Sequence, residues 1–366
     1  MKDKNKILVT GGAGYIGSHT VVELQQAGYD VIIADNLSNS SVDVIDNIVK
    51  ITRQKPRFIQ IDLADSVLTE HLFKENHIDG IIHFAAHKYV GESVIEPLRY
   101  YHNNFTSTLN ILREMQKHQI RNFVFSSSCT VYGQADKLPV TEQTPIKPAQ
   151  CPYGNTKQVI EEILQDICLA DKNRQVISLR YFNPIGAHHS SLIGELPLDV
   201  PQNLIPYITQ TAIGIRECLQ IFGNNYNTKD GTCLRDFIHV EDLAKAHVIA
   251  LNRMLQHKMD KNYEVFNIGT GTPNSVLEII QAFEKVSKMS LPYKFADRRE
   301  GDIEKIWADT TLANTVLGWK AEKSLEEMML SAWNWELALK NNGHSTIGEM
   351  DCFVPRNDGS AYNKQK

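Results

Sequence analysis

A tyrosine and a lysine one helical turn apart could act together on a hydroxyl group. The segment CPYGNTK places Tyr153 four residues before Lys157 and directly after Pro152. Proline suits the first turn of a helix, and residues four apart share one helix face. An ammonium group beside the phenol favours the phenolate, which is a general base. The spacing alone predicts little, because about one such pair arises by chance in this composition.

A hydroxyl cluster precedes this pair along the chain. The run NFVFSS (122–127) reads as a strand, and it ends in Ser126, Ser127 and Ser128, followed by Thr130. In open α/β sheets, ligands bind beyond the carboxyl ends of the strands. Ser128 is therefore predicted to lie at the edge of the same site as the tyrosine and the lysine.

A glycine-rich segment near the N-terminus has the spacing of a dinucleotide-binding loop. The strand-like run KILVT (6–10) leads into TGGAGYIGSHT, where Gly11, Gly14 and Gly17 recur every three residues. The first glycine allows a tight turn, the second allows close approach of a pyrophosphate, and the third allows the helix to pack on the strand. Backbone N–H groups at the helix start would bind the anion.

Two acidic residues end the next two predicted strands. Asp35 ends DVIIAD (30–35), and its carboxylate would accept hydrogen bonds from ribose hydroxyls and repel a 2′-phosphate, so NAD is predicted rather than NADP. Asp62 ends FIQID (58–62), and it either approaches the adenine or caps the helix that starts near Ser66. Further cofactor contacts are predicted beside these motifs at Tyr15, Ile16, Asn36, Leu63, Phe84, Ala85 and Ala86.

The elements that must position these residues alternate along the chain. More apolar runs resemble strands at GIIHFA (80–85), VISLRYF (176–182) and YEVFNIG (263–269), and helical patterns cover 15–28 and 240–256. Alternating apolar strands and helices are typical of βαβ units. The sequence therefore predicts the α/β class, as a Rossmann-type, doubly wound parallel sheet with helices on both faces.

The pattern changes after about residue 185, where proline and glycine become frequent and the strands shorten. We predict an NAD-binding domain over 1–183, to which the chain returns around 236–270. Residues 184–235 and 271–342 are assigned to a smaller, mixed α/β lobe that binds the substrate. The polar residues 343–366 are predicted to form a flexible tail.

Composition argues against several functional classes. The 366-residue chain has a net charge of −5, whereas nucleic-acid and membrane-surface proteins usually carry excess basic charge. Its apolar runs are shorter than the roughly 18 residues of a spanning helix, and the N-terminal segment lacks signal-peptide features. The six cysteines form no Cys-x-x-Cys pair, so no metal site is predicted and reduced thiols in the cytoplasm are expected.

Seven segments together resemble the extended short-chain dehydrogenase/reductase family, and within it the 4-epimerases of UDP-hexoses. In chain order they are VTGGAGYIGSH, IIHFAAHKYVGES, FSSSCTVYG, PYGNTK, RYFNPIGAH, LRDFIHVEDLA and RREGD. The similarity runs from Lys6 to about Leu339. It implies an isomerase that interconverts UDP-galactose and UDP-glucose through a transient 4-keto sugar, with tightly bound NAD and a homodimeric assembly.

The resemblance also implies roles for individual residues. Tyr153 would remove the proton from the sugar 4-hydroxyl, Ser128 would relay it, and Lys157 would bind the nicotinamide ribose. Lys88, Asn103 and Tyr181 are implied as further cofactor contacts. The implied substrate contacts are Lys88, Ser128, Tyr153, Asn183, Asn203, Phe222, Arg235, Arg299, Asp302 and Ile306.

The substrate side contains one ambiguous pair, Arg298 and Arg299, and one variable position, Ile306. A guanidinium group matches phosphate oxygens, but Arg298 and Arg299 are adjacent, and the sequence leaves open which one faces the diphosphate. Ile306 lies where some family members carry a tyrosine against the sugar, and smaller residues there accompany acceptance of N-acetylated sugars. The resemblance therefore implies some tolerance for UDP-N-acetylglucosamine.

Three other functions use the same fold. A nucleotide-sugar 4,6-dehydratase needs an acid and a base beside Thr130, but the residues next to it, Cys129, Val131 and Tyr132, carry no carboxylate. A non-catalytic NAD sensor would have lost part of the serine, tyrosine and lysine set, which is complete here. A net reductase would release and rebind its cofactor, so it would consume added NADH.

Overall fold

The structure is a computed structural model that describes residues 4–198, 200–298 and 303–342. Its strands are β1 (Lys6–Thr10), β2 (Asp30–Asp35), β3 (Arg57–Gln60), β4 (Gly80–His83), β5 (Asn122–Ser128), β6 (Gln175–Tyr181), β7 (Asn183–Ile185), β8 (Leu219–Phe222), β9 (Leu234–His239), β10 (Tyr263–Ile268), β11 (Pro273–Ser275), β12 (Tyr293–Ala296) and β13 (Lys305–Ile306). Its α-helices are α1 (Tyr15–Gln26), α2 (Asp43–Thr52), α3 (Ser66–Glu75), α4 (Val90–Ile95), α5 (Pro97–Lys117), α6 (Pro152–Ala170), α7 (Leu204–Ala212), α8 (Val240–Leu255), α9 (Val276–Ser287) and α10 (Leu325–Asn341).

The larger sheet has seven strands in the order β10-β6-β5-β4-β1-β2-β3. Every pairing in it is parallel. From the centre of the sheet, β1, β2 and β3 follow one another toward one edge. The later strands β4, β5, β6 and β10 follow one another toward the other edge. The predicted doubly wound Rossmann-type sheet is confirmed, and the reversal between β1 and β4 creates a crevice at the carboxyl ends of these strands.

Both faces of this sheet are buried, which explains its nearly continuous apolar strands. In β1, Ile7 and Val9 pack with α1, α2 and α8 on one face. Leu8, between them, packs with α3, α5 and α6 on the other face. Successive side chains of a strand point to opposite faces, so each residue of such a strand must be apolar. Each of these fully buried aliphatic side chains contributes about 1.5–3 kcal/mol.

The smaller lobe contains two short sheets. β9 pairs with β7, β11 and β13, and β8 pairs with β12. Helices α7, α9 and α10 pack around its apolar core. β9 (Leu234–His239) thus lies within the smaller lobe, while α8 and β10 return to the larger sheet. The proposed domain boundaries stay a prediction.

Three sequence predictions concern features outside this core. The tail predicted over 343–366 lies outside the described residues. Within the described ranges, every helix is too short or too polar to cross a bilayer. The five cysteines in these ranges are free thiols.

Candidate active site

A cleft of about 900 Å³ opens beyond the carboxyl ends of β1, β4 and β5, next to the reversal of strand order. This is the position at which open α/β sheets bind ligands. Residues of the smaller lobe, including Asn203 and Trp335, line the opposite side. Residues of the larger sheet and of the smaller lobe therefore bound the cleft together, and it can hold an elongated ligand.

Every predicted cofactor contact lines this cleft: Gly11, Gly14, Tyr15, Ile16, Gly17, Asp35, Asn36, Asp62, Leu63, Phe84, Ala85, Ala86, Lys88, Asn103, Lys157 and Tyr181. The predicted substrate contacts Lys88, Ser128, Tyr153, Asn183 and Asn203 line it too. Phe222, Arg235 and Ile306 are not part of this lining, and Arg299 and Asp302 lie outside the described residues. The roles of all these residues remain predictions.

The glycine loop forms a cradle that side chains would fill. Gly11 has a φ of +68°, and a Cβ built there would lie 2.8 Å from the backbone nitrogen of Ala85. A Cβ on Gly17 would lie 2.2 Å from the carbonyl oxygen of Gly11. Because both neighbours are backbone atoms, only glycine fits at these positions. The first turn of α1, at Tyr15, Ile16 and Gly17, lines the cleft, where backbone N–H groups of a helix N-terminus would bind a pyrophosphate.

Asp35 fastens the cradle to the end of β2. Its carboxylate accepts hydrogen bonds from the N–H groups of Ala13 at 3.0 Å and Leu37 at 2.9 Å, and from the Ser40 hydroxyl at 3.3 Å. Burial raises the pKa of this carboxyl, and these hydrogen bonds oppose the rise. Asp35 therefore positions the glycine loop and also presents negative charge to the cleft.

Replacing Asp35 by asparagine is expected to weaken NAD binding about 10- to 100-fold, because a hydrogen bond to a charged group is worth about 1.5–3 kcal/mol. The preference over NADP should shrink as well, since the charge that repels a 2′-phosphate is lost. Titration of stripped protein with each dinucleotide measures both effects. Asp30→Asn, at the exposed start of the same strand, is the matched control. Unchanged NAD affinity in Asp35→Asn would contradict the assignment.

The alternative role of Asp62 as a helix cap is wrong. Asp65 caps α3, since its carboxylate accepts hydrogen bonds from the N–H groups of Val67 at 2.9 Å and Leu68 at 3.0 Å. The Asp62 carboxylate instead accepts from the N–H group of Ala64 at 2.9 Å and lines the cleft. Contact between Asp62 and the adenine stays a prediction.

Local contacts at the start of α6 aim Tyr153 into the cleft. Pro152 occupies the first turn, and the Cys151 sulfur accepts a hydrogen bond from the Gly154 N–H at 3.4 Å. The Gln158 side-chain amide donates to the carbonyl oxygens of Val131 at 2.8 Å and Lys147 at 2.7 Å. These bonds hold the first turns of α6 against the segment that follows β5.

The structure brings Tyr153, Ser128 and Lys157 together. All three are buried, with 8%, 7% and 3% of their surfaces exposed. The Ser128 hydroxyl lies beside the Tyr153 phenol in the cleft. The Lys157 ammonium donates to the carbonyl oxygen of Ser126 at 2.6 Å and lies 5.8 Å from the centre of the Tyr153 ring.

Burial dominates the titration of this group. It raises the pKa of Tyr153 well above its usual value, and the neighbouring Ser128 hydroxyl is the group that lowers it. Burial also lowers the pKa of Lys157 to about 7, although the charge of Glu161 opposes this. Burial therefore keeps the phenol protonated at neutral pH, and a positive charge beside the ring would favour the phenolate.

Residues of the smaller lobe are less easily assigned from sequence. Arg298 is exposed, stacks on Tyr226 with its guanidinium carbon 4.0 Å from the ring centre, and donates to the Asn225 side chain at 2.7 Å. Arg235, on β9, donates to the carbonyl oxygen of Leu234. Ile306 pairs with Arg235 across β9 and β13. Arg235 and Ile306 are thus neighbours on adjacent strands, whereas Arg298 is held against Tyr226 and Asn225, and the diphosphate partner stays a prediction.

Ile306 and Phe222 also have defined positions. Ile306 is 3% exposed and packs with Val131, Tyr132 and Phe182 beneath the segment that follows Ser128. Phe222 ends β8 in the smaller lobe. Asn183 begins β7, and Asn203 precedes α7.

Sequence analysis missed Glu195. Its carboxylate accepts a hydrogen bond from the Asn203 side chain at 2.5 Å and lies 3.5 Å from the Lys88 ammonium. Glu195 therefore joins two predicted substrate contacts across the cleft. It lies in an irregular loop, where no periodic pattern marks which side chains face inward.

Comparisons with known proteins agree with this geometry. The family described as GDP-mannose 4,6 dehydratase matches residues 8–331. UDP-glucose 4-epimerase from Bacillus subtilis (strain 168) is 51% identical over 330 residues, which are 90% of this chain and 96% of the relative. The chain belongs to the UDP-glucose 4-epimerase family. The enzyme of that name from Dictyostelium discoideum is 49% identical over 93% of this chain and 98% of its own.

Solved structures of UDP-glucose 4-epimerases share this architecture. The Bifidobacterium longum enzyme, in complex with NAD+ and UDP, has a TM-score of 0.88 and 46% identity, covering 92% of this chain and 99% of its own. The Stenotrophomonas maltophila enzyme, with bound NAD and formylated UDP-arabinopyranose, has a TM-score of 0.89 and 45% identity, covering 93% and 100%. The family assignment by resemblance is therefore confirmed, as an extended short-chain dehydrogenase/reductase.

Proposed function

We propose that this protein interconverts UDP-galactose and UDP-glucose by inverting C4 of the sugar through a transient 4-keto sugar. The observation that carries the proposal is the meeting of Tyr153 and Ser128 in the same cleft as the glycine cradle. Relatives named UDP-glucose 4-epimerase cover nearly the same length at about half identity. NAD, when bound in the cradle, supplies the group that accepts a hydride from C4 and returns it.

The side chains of this protein would handle the proton. Tyr153 takes it from the 4-hydroxyl, and Ser128, whose hydroxyl lies beside the Tyr153 phenol, would contact the same oxygen and relay the proton. Lys157 is anchored to the carbonyl oxygen of Ser126 and would hold the nicotinamide ribose. Inversion involves no net oxidation, so a tightly held cofactor suffices and the closed cradle at Gly11 and Gly17 fits that requirement.

Elimination of water across C5 and C6 is disfavoured by the surroundings of Cys129. Asp236 is a carboxylate close enough to affect Cys129 electrostatically, but its side chain is fully buried. It already accepts hydrogen bonds from the N–H groups of Thr270 at 2.8 Å and Gly271 at 3.0 Å. A carboxylate held in this way is a poor proton donor or acceptor for a substrate, so a dehydratase would lack its catalyst here.

The proposal is tested by incubating the purified protein with UDP-galactose and no added cofactor, and following UDP-glucose by chromatography. A mixture of the two hexoses is expected, with NADH neither required nor consumed. Failure to convert UDP-galactose even with added NAD would overturn the proposal. Consumption of added NADH would instead indicate a net reductase.

We propose that N-acetylated sugars are accepted as well. Ile306 is smaller than tyrosine and packs against Tyr132 and Phe182, just beneath the segment after Ser128. One solved relative, 37% identical and with a TM-score of 0.78, is the UDP-Glc/GlcNAc 4-epimerase from Campylobacter jejuni, covering 91% of this chain and 99% of its own. Ile306 lies behind the cleft lining, so its bulk would limit the space for an acetamido group through Phe182, which it packs against and which lines the cleft.

UDP-N-acetylglucosamine is therefore expected to turn over measurably in the wild type, more slowly than UDP-galactose. Ile306→Tyr should lower that turnover at least about tenfold and change the UDP-galactose rate little, because a larger side chain behind Phe182 narrows the space that only the acetamido group needs. Chromatography of both reactions gives the ratio. Absence of N-acetylhexosamine turnover in the wild type would end this part of the proposal.

A cytoplasmic homodimer is the proposed working form. Helices α4, α5 and α6 carry large apolar side chains that are strongly exposed in the single chain, among them Ile95 at 79%, Leu98 at 81% and Leu169 at 67%. Exposed apolar patches of this kind mark interaction surfaces. Light scattering of the purified protein should therefore give twice the chain mass, and a monomer at micromolar concentration would contradict it.

A further inference from the structure

A second cluster of polar side chains lies outside the residues that line the cleft, near His19 of α1. His188 and His189 lie on the loop after β7, and Glu241 lies in the first turn of α8. Each offers one ligand atom, and these atoms lie within 4.8 Å of one another. Nδ1 of His189 is 3.0 Å from Oε1 of Glu241, and Nε2 of His188 is 3.9 Å from the same oxygen.

These separations match the geometry of a small metal ion. Bonds of about 2.0–2.1 Å in a tetrahedral Zn²⁺ site place neighbouring ligand atoms about 3.4 Å apart. The two measured distances lie on either side of that value. Two imidazoles and one carboxylate are also the ligand types that Zn²⁺, Cu²⁺ and Ni²⁺ prefer in proteins.

The histidine rings are held in a suitable orientation. Nδ1 of His188 accepts a hydrogen bond from the Ser190 N–H at 3.2 Å and lies 2.8 Å from the Ser190 hydroxyl, so Nε2 is the ring nitrogen that faces Glu241 and would give up its proton to a metal. The rings of His188 and His189 have centres 4.1 Å apart. The His189 side chain is 76% exposed, so an ion can reach the cluster from solvent.

We propose that His188, His189 and Glu241 form a binding site for a divalent transition metal, with Zn²⁺ as the best chemical match. The metal would fasten the loop after β7 to the start of α8. The same loop continues through Ser191 to Gly194 in the cleft lining and carries Glu195 between Lys88 and Asn203. The site acts on the position of this loop and takes no part in the reaction, so it does not depend on the proposed function.

The test is calorimetric titration of the full, tag-free chain with Zn²⁺ after chelator treatment. One equivalent is expected to bind, and His189→Ala should weaken binding about 10- to 100-fold. The matched control is His77→Ala, which removes another exposed histidine, 80% exposed and paired with Asp79. The control variant should bind as the wild type does.

Two further readouts separate this site from binding by the free cysteines. Co²⁺ bound in place of Zn²⁺ should show no thiolate-to-metal charge-transfer absorption. Zn²⁺ should also raise the unfolding temperature of the wild type and of His77→Ala more than that of His189→Ala. Equal Zn²⁺ affinity in the wild type and His189→Ala, a thiolate absorption band, or absence of saturable binding would each overturn the proposal.

Discussion

Replacement of Tyr153 by phenylalanine is expected to lower turnover of UDP-galactose about 10²- to 10⁴-fold, the usual contribution of a positioned general base. The substitution removes the oxygen that takes the proton and leaves the ring, which packs beside Tyr100 and Cys151. Because Lys157 is anchored independently to Ser126, the cofactor contacts should be retained. The loss should therefore appear in kcat with NAD content unchanged.

Single-turnover and steady-state conversion of UDP-galactose, together with bound NAD per chain, measure this effect. Tyr293→Phe is the matched control, since Tyr293 lies on β12 with 44% of its surface exposed. It should keep the wild-type rate. A Tyr153→Phe protein with more than a tenth of wild-type kcat would show that another group takes the proton.

Replacement of Arg180 by methionine is expected to lower the free energy of unfolding by about 3–5 kcal/mol, the usual result of breaking a buried ion pair. Arg180, on β6, and Glu161, on α6, have side chains that are 4% and 1% exposed. The Arg180 Nε donates to Oε1 of Glu161 at 3.0 Å, and the Ser127 hydroxyl donates to the same oxygen at 2.5 Å. Without the guanidinium, the Glu161 carboxylate keeps its desolvation cost and loses its partner.

Urea unfolding of the wild type, Arg180→Met and the double variant Glu161→Gln with Arg180→Met separates this cause from lost packing. The double variant should be more stable than the single one, because it removes the stranded charge. Equal destabilisation in both would assign the effect to volume and packing. Arg216→Met is a suitable control, since that guanidinium lies over Tyr207 in the smaller lobe.

The sheet and the cofactor side of the site follow from local sequence. Strands such as β1 and β2 are buried on both faces, so they appear in the sequence as short apolar runs. The glycine spacing marks the turn at which the loop backbone packs directly against other backbone atoms. In a parallel sheet the ends of these runs meet at one edge. Asp35 and Ser128 could therefore be placed at the site before any contact was known.

The smaller lobe could not be predicted in the same way. β8 and β12 pair although about 70 residues separate them, and neither run shows which partner it has. Arg298 faces Tyr226 and Asn225 because of the path of a loop, and Glu195 reaches Lys88 for the same reason. Such contacts depend on long-range packing, which leaves no periodic trace in a single sequence.

The network around Glu161 has a consequence for how substrate preference can change. It joins the helix that carries Tyr153 and Lys157 to β5 and β6 through buried hydrogen bonds. Apart from Ile306, which packs with Tyr132 and Phe182, the predicted substrate contacts of the smaller lobe lie on separate loops and short strands around another core. Most mutations that change sugar recognition can therefore occur without moving the residues that transfer the proton. Substrate specificity can evolve in this fold while the catalytic chemistry stays the same.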